Sequence, residues 1–131
     1  MPVHLECGAM YSPQVLDHFQ NPRNPGIVAG ADAVVQIENP ACGDVLQLSA
    51  KTAAGRITEI GFLAKGCVPA MACASTLTEL VCGITLEAAS KLRREDLIES
   101  LGGLPEASTH ATHLAMDALA ALLIELTRSD G

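Results

Sequence analysis

Gly66-Cys67-Val68-Pro69 is the point at which the sequence changes its period. Before it, Arg56-Ile57-Thr58-Glu59-Ile60-Gly61-Phe62-Leu63 reads as a strand with Ile60 and Phe62 on one face. After it, Ala70, Cys73, Ala74, Leu77 and Val81 recur at helical spacing along one stripe until Gly83 stops them. Pro69 suits the first turn of a helix, where its missing N–H is no loss and its fixed φ already fits. Cys67 is thereby placed just ahead of a helix N-terminus, whose unpaired N–H groups and positive dipole end favour thiolate over thiol. A thiolate held there is a metal ligand or a nucleophile.

Upstream of this junction, Val45-Leu46-Gln47-Leu48-Ser49-Ala50 alternates as a half-buried strand does, with Leu46 and Leu48 on one face. Ala33-Val34-Val35-Gln36-Ile37 forms an earlier strand, Asn39 to Asp44 a turn, and Ala53-Ala54-Gly55 a reversal. Connections this short make an antiparallel meander the economical topology. Nearer the start, Ser12 caps a short helix with Pro13 at its first position, running through Val15, Leu16 and Phe19. Asn21-Pro22-Arg23-Asn24-Pro25-Gly26 ends it, and Asp17, His18 and Arg23 are expected to make surface contacts. Downstream, Thr85 starts a short helix, Arg94 to Leu101 forms another, and Ser108 caps a long one reaching about Thr127. Strands first and helices after predict an α+β fold: a three-stranded antiparallel sheet, about five helices packed on one sheet face, and a long C-terminal helix. Residues 1–10 read as a flexible tail and 11–131 as a single domain.

Composition removes several classes of function. Of 131 residues 49% are apolar, yet there are two Phe, one Tyr and no Trp, so the core must be aliphatic and alanine-rich. The net charge is −7 and the eight basic residues are scattered, which argues against a nucleic-acid partner. No apolar run is long enough to span a bilayer, and the first residues lack the basic-then-apolar pattern of a secretory leader. A cytoplasmic protein without a membrane partner is expected. In that setting the five cysteines, at positions 7, 42, 67, 73 and 82, read as thiols and not as a disulfide framework.

Three turns carry residues with metal chemistry. Cys42 and Asp44 flank Gly43, which can relax the backbone enough for both side chains to aim at one ion. Cys67 is the second thiol in a glycine-containing turn. His110 and His113, three apart at the start of the last helix, can face one side, and neutral imidazole suits a helix N-terminus. Two thiolates, a carboxylate and an imidazole make a complete tetrahedral set for zinc, or a mixed one for iron. A single metal or cluster site assembled from these three turns is therefore expected, with Cys42, Asp44, Cys67 and the His110/His113 pair as its candidate donors. Cys73 lies on the apolar stripe and reads as core, and Cys82 as an incidental thiol beside Gly83. No residue set for catalysis stands out, so an enzyme is not expected.

Taken together the motifs resemble one family. Tyr11-Ser12-Pro13-Gln14-Val15-Leu16-Asp17-His18-Phe19-Gln20-Asn21-Pro22-Arg23-Asn24-Pro25-Gly26 is similar to the opening motif of the IscU/NifU-N/SufU iron–sulfur cluster scaffolds. Asn39-Pro40-Ala41-Cys42-Gly43-Asp44 resembles their first ligand loop, Gly66-Cys67 with Ala70-Met71-Ala72-Cys73-Ala74-Ser75 the second, and Leu114-Ala115-Met116-Asp117-Ala118-Leu119 the last helix. The resemblance spans about residues 11–126 with the motifs in order. It implies an α+β fold whose exposed site takes iron and desulfurase-derived sulfur to build a transient [2Fe–2S] cluster, with zinc as an alternative occupant. It also implies a cysteine desulfurase and apo iron–sulfur recipient proteins as partners. Cys42, Asp44 and Cys67 match the first three site positions, and His110 matches the histidine preceding the third cysteine of the IscU branch, so the resemblance implies a site of Cys42, Asp44, Cys67 and His110 with His113 as substitute donor.

The departure falls at Ala111, where that third cysteine is expected. Leu104-Pro105-Glu106-Ala107-Ser108 likewise does not reproduce the Leu-Pro-Pro-Val-Lys segment through which IscU-type scaffolds engage a dedicated chaperone, and the longer insertion of the SufU branch is missing. The sequence leaves the oligomeric state open. The alternative function is a zinc-binding paralogue that modulates a desulfurase or stores metal without building clusters.

Overall fold

The computed structural model describes residues 11–40 and 43–130, so the expected tail over 1–10, Cys7 and Cys42 lie outside the described residues. The elements in order are α1 (Pro13–Gln20), β1 (Ala33–Asn39), β2 (Asp44–Ala53), β3 (Arg56–Lys65), α2 (Val68–Val81), α3 (Leu86–Ser90), α4 (Arg94–Ser100), a 3-10 turn (Glu106–Ser108) and α5 (Thr109–Asp130). The strands form one antiparallel sheet in the order β1-β2-β3. None of these helices is long and apolar enough to cross a membrane.

The second hairpin shows how local sequence fixes register. Ala53 pairs with Arg56, leaving Ala54 (φ 55°) and Gly55 (φ 74°) as a two-residue loop with both residues left-handed, the geometry that matches strand twist. A bulge then shifts the register between Lys51 and Thr52, so Ile57 pairs with Thr52 while Glu59 pairs with Lys51. The extra residue, Thr58, resets the alternation. As a result Ile57, Ile60 and Phe62 all face inward and are almost fully buried. Both β2 and β3 run further than the alternating pattern implied, to Ala53 and Lys65, because cross-strand pairing continues where the apolar signal has stopped.

Leu46, Leu48 and Ala50 line the inner face of β2. They pack with α5, which also lies over β1, while α2 lies over β3 and touches both α1 and α5. Val34 and Leu63 remain exposed on the opposite side of the sheet. The helix α2 differs from its one-stripe reading. Ala72, Ser75, Thr76 and Thr78 are as buried as Ala70, Cys73, Ala74, Leu77 and Val81, because the helix is enclosed by α1, β3 and α5. Its small side chains permit that close approach.

Two local expectations need correction. His18 is not a surface residue: it is 6% exposed, on the same buried face of α1 as Val15, while Phe19 is turned outward. Its Nδ1 lies 2.7 Å from Ser75 Oγ, and its Nε2 faces Glu79 Oε1 at 3.6 Å. The Arg23 backbone N–H also donates to Ser75 Oγ at 2.8 Å, and Asn24 Nδ2 donates to Thr78 Oγ1 at 3.2 Å. Polar groups of α2 thus hold the Asn21–Gly26 segment down, while Asp17 and Arg23 pair outside at 2.6 Å. The second correction concerns α5, which is entered through the 3-10 turn, with Ser108 N–H donating to Pro105 O at 2.9 Å, instead of starting at a Ser108 cap. Ser12 and Thr85 do cap their helices, accepting from Val15 N–H and Ala88 N–H at 3.0 Å each.

Candidate metal centre

The sheet and two helices present their ends to one place. Asp44 opens β2, Cys67 is the N-cap of α2 with extended backbone (φ −76°, ψ 167°), and His110 is the second residue of α5. Cys67 Sγ lies 3.4 Å from Asp44 Oδ2 and 3.8 Å from His110 Nε2, and His110 Nε2 lies 3.7 Å from Asp44 Oδ2. Donor–metal bonds of about 2.0–2.3 Å in a tetrahedron set donors roughly 3.3–3.8 Å apart. The three separations have that size. The Asp44 side chain is 5% exposed and that of His110 39%, so the group is anchored on one side and open on the other. It opens into a cleft of about 500 Å³ whose walls include Tyr11, Pro69, Pro105 and Ser108.

Electrostatics departs from the sequence reading at Cys67. Burial pushes its thiol up, and the neighbouring Asp44 carboxylate adds to the rise, while the Ala70 backbone N–H at the helix start pulls the other way. The helix N-terminus therefore does not by itself make a thiolate here: a half-buried sulfur beside a carboxylate keeps its proton. A divalent cation held by Asp44, Cys67 and His110 would reverse that balance, favouring the thiolate over the thiol. Cys73, fully buried in the core, has its thiol pushed up to about 12, first by burial and then by Cys67, and is inert packing. Cys82 is an exposed residue at the end of α2.

Of the residues singled out from the sequence, Asp44, Cys67 and His110 come together, with all three donor atoms within 4.8 Å of one another. His113 does not join them. It is exposed one turn along and, with Glu38, Pro40 and Asp117, borders an adjoining cleft that His110 also lines. Ala111 is buried at 1% exposure. Tyr11, the chain's one tyrosine, lines the main cleft. Its placement directly before the Ser12 cap was the available signal, since the cap fixes how the chain enters α1.

An α+β domain with a thiol, a carboxylate and an imidazole gathered at one end of its sheet is a restricted class. The chain belongs to the NifU-like N-terminal domain family, whose model matches residues 10–129. It is 43% identical over 122 residues to the iron–sulfur cluster assembly scaffold protein IscU 1 of Archaeoglobus fulgidus, covering 93% of this chain and 80% of that protein. It is 41% identical over 111 residues to the scaffold protein IscU of Aquifex aeolicus, covering 83% and 71%. The fold superposes on the N-terminal NifU-like protein of Brucella abortus with a TM-score of 0.72 at 23% identity, over 91% of this chain and 95% of that one. The family resemblance and the α+β fold read from the sequence are thus borne out.

Proposed function

We propose that this protein is a scaffold or carrier for iron–sulfur cluster assembly that receives iron and desulfurase-derived sulfur at Cys42, Asp44, Cys67 and His110. The observation that carries the reading is the Asp44–Cys67–His110 group, whose donors stand at tetrahedral separations around a shared, accessible point. The naming of relatives as cluster assembly scaffolds supports it. Iron and sulfide are the cargo. Thiolate sulfur suits a [2Fe–2S] unit and imidazole can replace thiolate on one iron, so a mixed set accepts the cluster while holding it less firmly than four thiolates. The implied partners are a cysteine desulfurase and apo iron–sulfur recipient proteins.

One observation favours a second reading. Ala111 offers no donor atom where the resemblance expects a cysteine. Two thiolates, one carboxylate and one imidazole satisfy a single zinc ion outright. On this reading the protein is a zinc-binding paralogue that modulates a desulfurase or stores metal. Anaerobic reconstitution with ferrous iron, cysteine and a desulfurase separates the two. The scaffold reading expects visible cluster absorbance that decays within the experiment and persists longer in Ala111→Cys. One tight zinc per chain, undisplaced by iron and sulfide, with no absorbance even transiently, would replace it with the zinc reading.

A further inference from the structure

The residue before Cys67 has no side chain, and its neighbour across the sheet uses the room. The last β2–β3 pair is Val45 with Lys65, so one further step along the register sets Gly66 opposite Asp44. Residues opposed across strands normally hold their Cβ atoms about 4.5–5.5 Å apart. Here a Cβ on Gly66 would stand 3.1 Å from Asp44 Cβ, 2.6 Å from its Cγ, and nearer still to Oδ1. The Asp44 side chain therefore leans across the ladder into the volume a side chain at 66 would fill. That lean is what brings Oδ2 to 3.4 Å from Cys67 Sγ and 3.7 Å from His110 Nε2.

We propose that Gly66 is a positioning residue for the metal centre: the missing side chain lets the Asp44 carboxylate fold over the strand pair and face Cys67 and His110. The inference rests on the reading of this group as a metal site. It makes the hard donor of the set conditional on its cross-strand neighbour. Any side chain at 66 turns the carboxylate away and leaves a thiol and an imidazole without the oxygen between them. Gly66 also has φ +155°, so a side chain there carries a backbone cost of its own. The test therefore compares the same change with and without the Asp44 carboxylate.

Cobalt(II) titrations, followed by thiolate-to-cobalt absorbance, are run on the native chain, Gly66→Ala, Asp44→Ala and the double variant, with thermal midpoints measured without metal. Gly66→Ala is expected to weaken cobalt binding about 10- to 100-fold, close to Asp44→Ala, as loss of an orienting partner does. In the Asp44→Ala background the same change is expected to alter affinity by less than about twofold, because the carboxylate it would displace is gone and only the 3.1 Å Cβ contact remains. Affinity in Gly66→Ala equal to native, or an equal loss in both backgrounds, overturns the inference. If Gly66→Ala does not fold but the double variant does, the clash with the carboxylate is upheld. If neither folds, the cost lies in the backbone or in the remaining Cβ contact, not in the carboxylate, and the inference falls. A native chain that binds no cobalt removes the metal-site reading itself, whereas native binding with an unaffected Gly66→Ala removes only the role of Gly66.

Discussion

Replacing Ser75 with alanine takes away one oxygen and strands two partners. The side chain is fully buried, and its Oγ lies 2.7 Å from His18 Nδ1 and 2.8 Å from the Arg23 amide nitrogen. Because His18 Nε2 faces the Glu79 carboxylate at 3.6 Å, the ring proton belongs on Nε2. Nδ1 then accepts the Ser75 hydroxyl proton while the Arg23 N–H donates to the same oxygen, so Ser75 spends both of its hydrogen-bonding roles. A buried donor or acceptor left alone costs about 1–3 kcal/mol, and the partly buried Arg23 amide belongs at the low end. The sum is about 2–4 kcal/mol. With an unfolding entropy of roughly 2.1 cal/mol/K per residue, this lowers the midpoint by roughly 7–15 °C for a chain of 131 residues. The adjacent position supplies the contrast, since the buried Thr76 Oγ1 has no partner among the described residues. Thr76→Val exchanges an idle hydroxyl for a methyl of the same shape and should leave stability unchanged or raise it by up to about 1 kcal/mol. Urea denaturation of both variants at pH 7 reads the difference directly. A Ser75→Ala chain within about 0.5 kcal/mol of native, or as indifferent as Thr76→Val, would refute the role given to this oxygen.

His18 also makes stability depend on pH. Burial, with help from the Arg23 charge, holds its imidazole below the ordinary 6.5, so the unfolded chain takes up a proton that the folded one resists. Stability is therefore full above about pH 6.5 and falls as the pH drops below it; His18→Gln should flatten that part of the profile in urea titrations, and an unaltered slope would contradict the assignment. At the metal centre, burial and Asp44 keep the Cys67 thiol protonated at neutral pH, so zinc must displace that proton. Calorimetry in two buffers of different ionisation enthalpy should show Cys67→Ala releasing one proton fewer than native per zinc bound, and equal release would exclude Cys67 as a ligand.

The parts of the fold that were legible in the sequence are those decided within a few residues. Alternation in Val45–Ala50, the Ala54-Gly55 loop, and the capping hydroxyls of Ser12 and Thr85 each act over one turn or one pair, so the letters carry them. The position of Cys67 was legible for the same reason, through Pro69. His18 was not, because its burial is set by Ser75, 57 residues later, and nothing in α1 announces that partner. The retained proton on Cys67 escaped for a related reason: the helix-start argument is local, while the opposing burial and the Asp44 charge arrive from another strand. His113 shows the limit of spacing arguments, since i and i+3 share a helix face but, among the described residues, only His110 brings its imidazole into the group with Asp44 and Cys67. Gly66 could be read as a turn residue, but that its empty side is filled by a carboxylate follows only from the β2–β3 register.

All three donors in the described group sit at the extremities of their elements: the first residue of β2, the cap of α2 and the opening turn of α5. Extremities fray at small cost while the interiors behind them stay packed. A grip assembled from element ends would open one donor at a time, with Leu46, Leu77 and Leu122 still packed in the core. On the proposed scaffold reading, cargo held in that way would be surrendered to a recipient without the carrier coming undone.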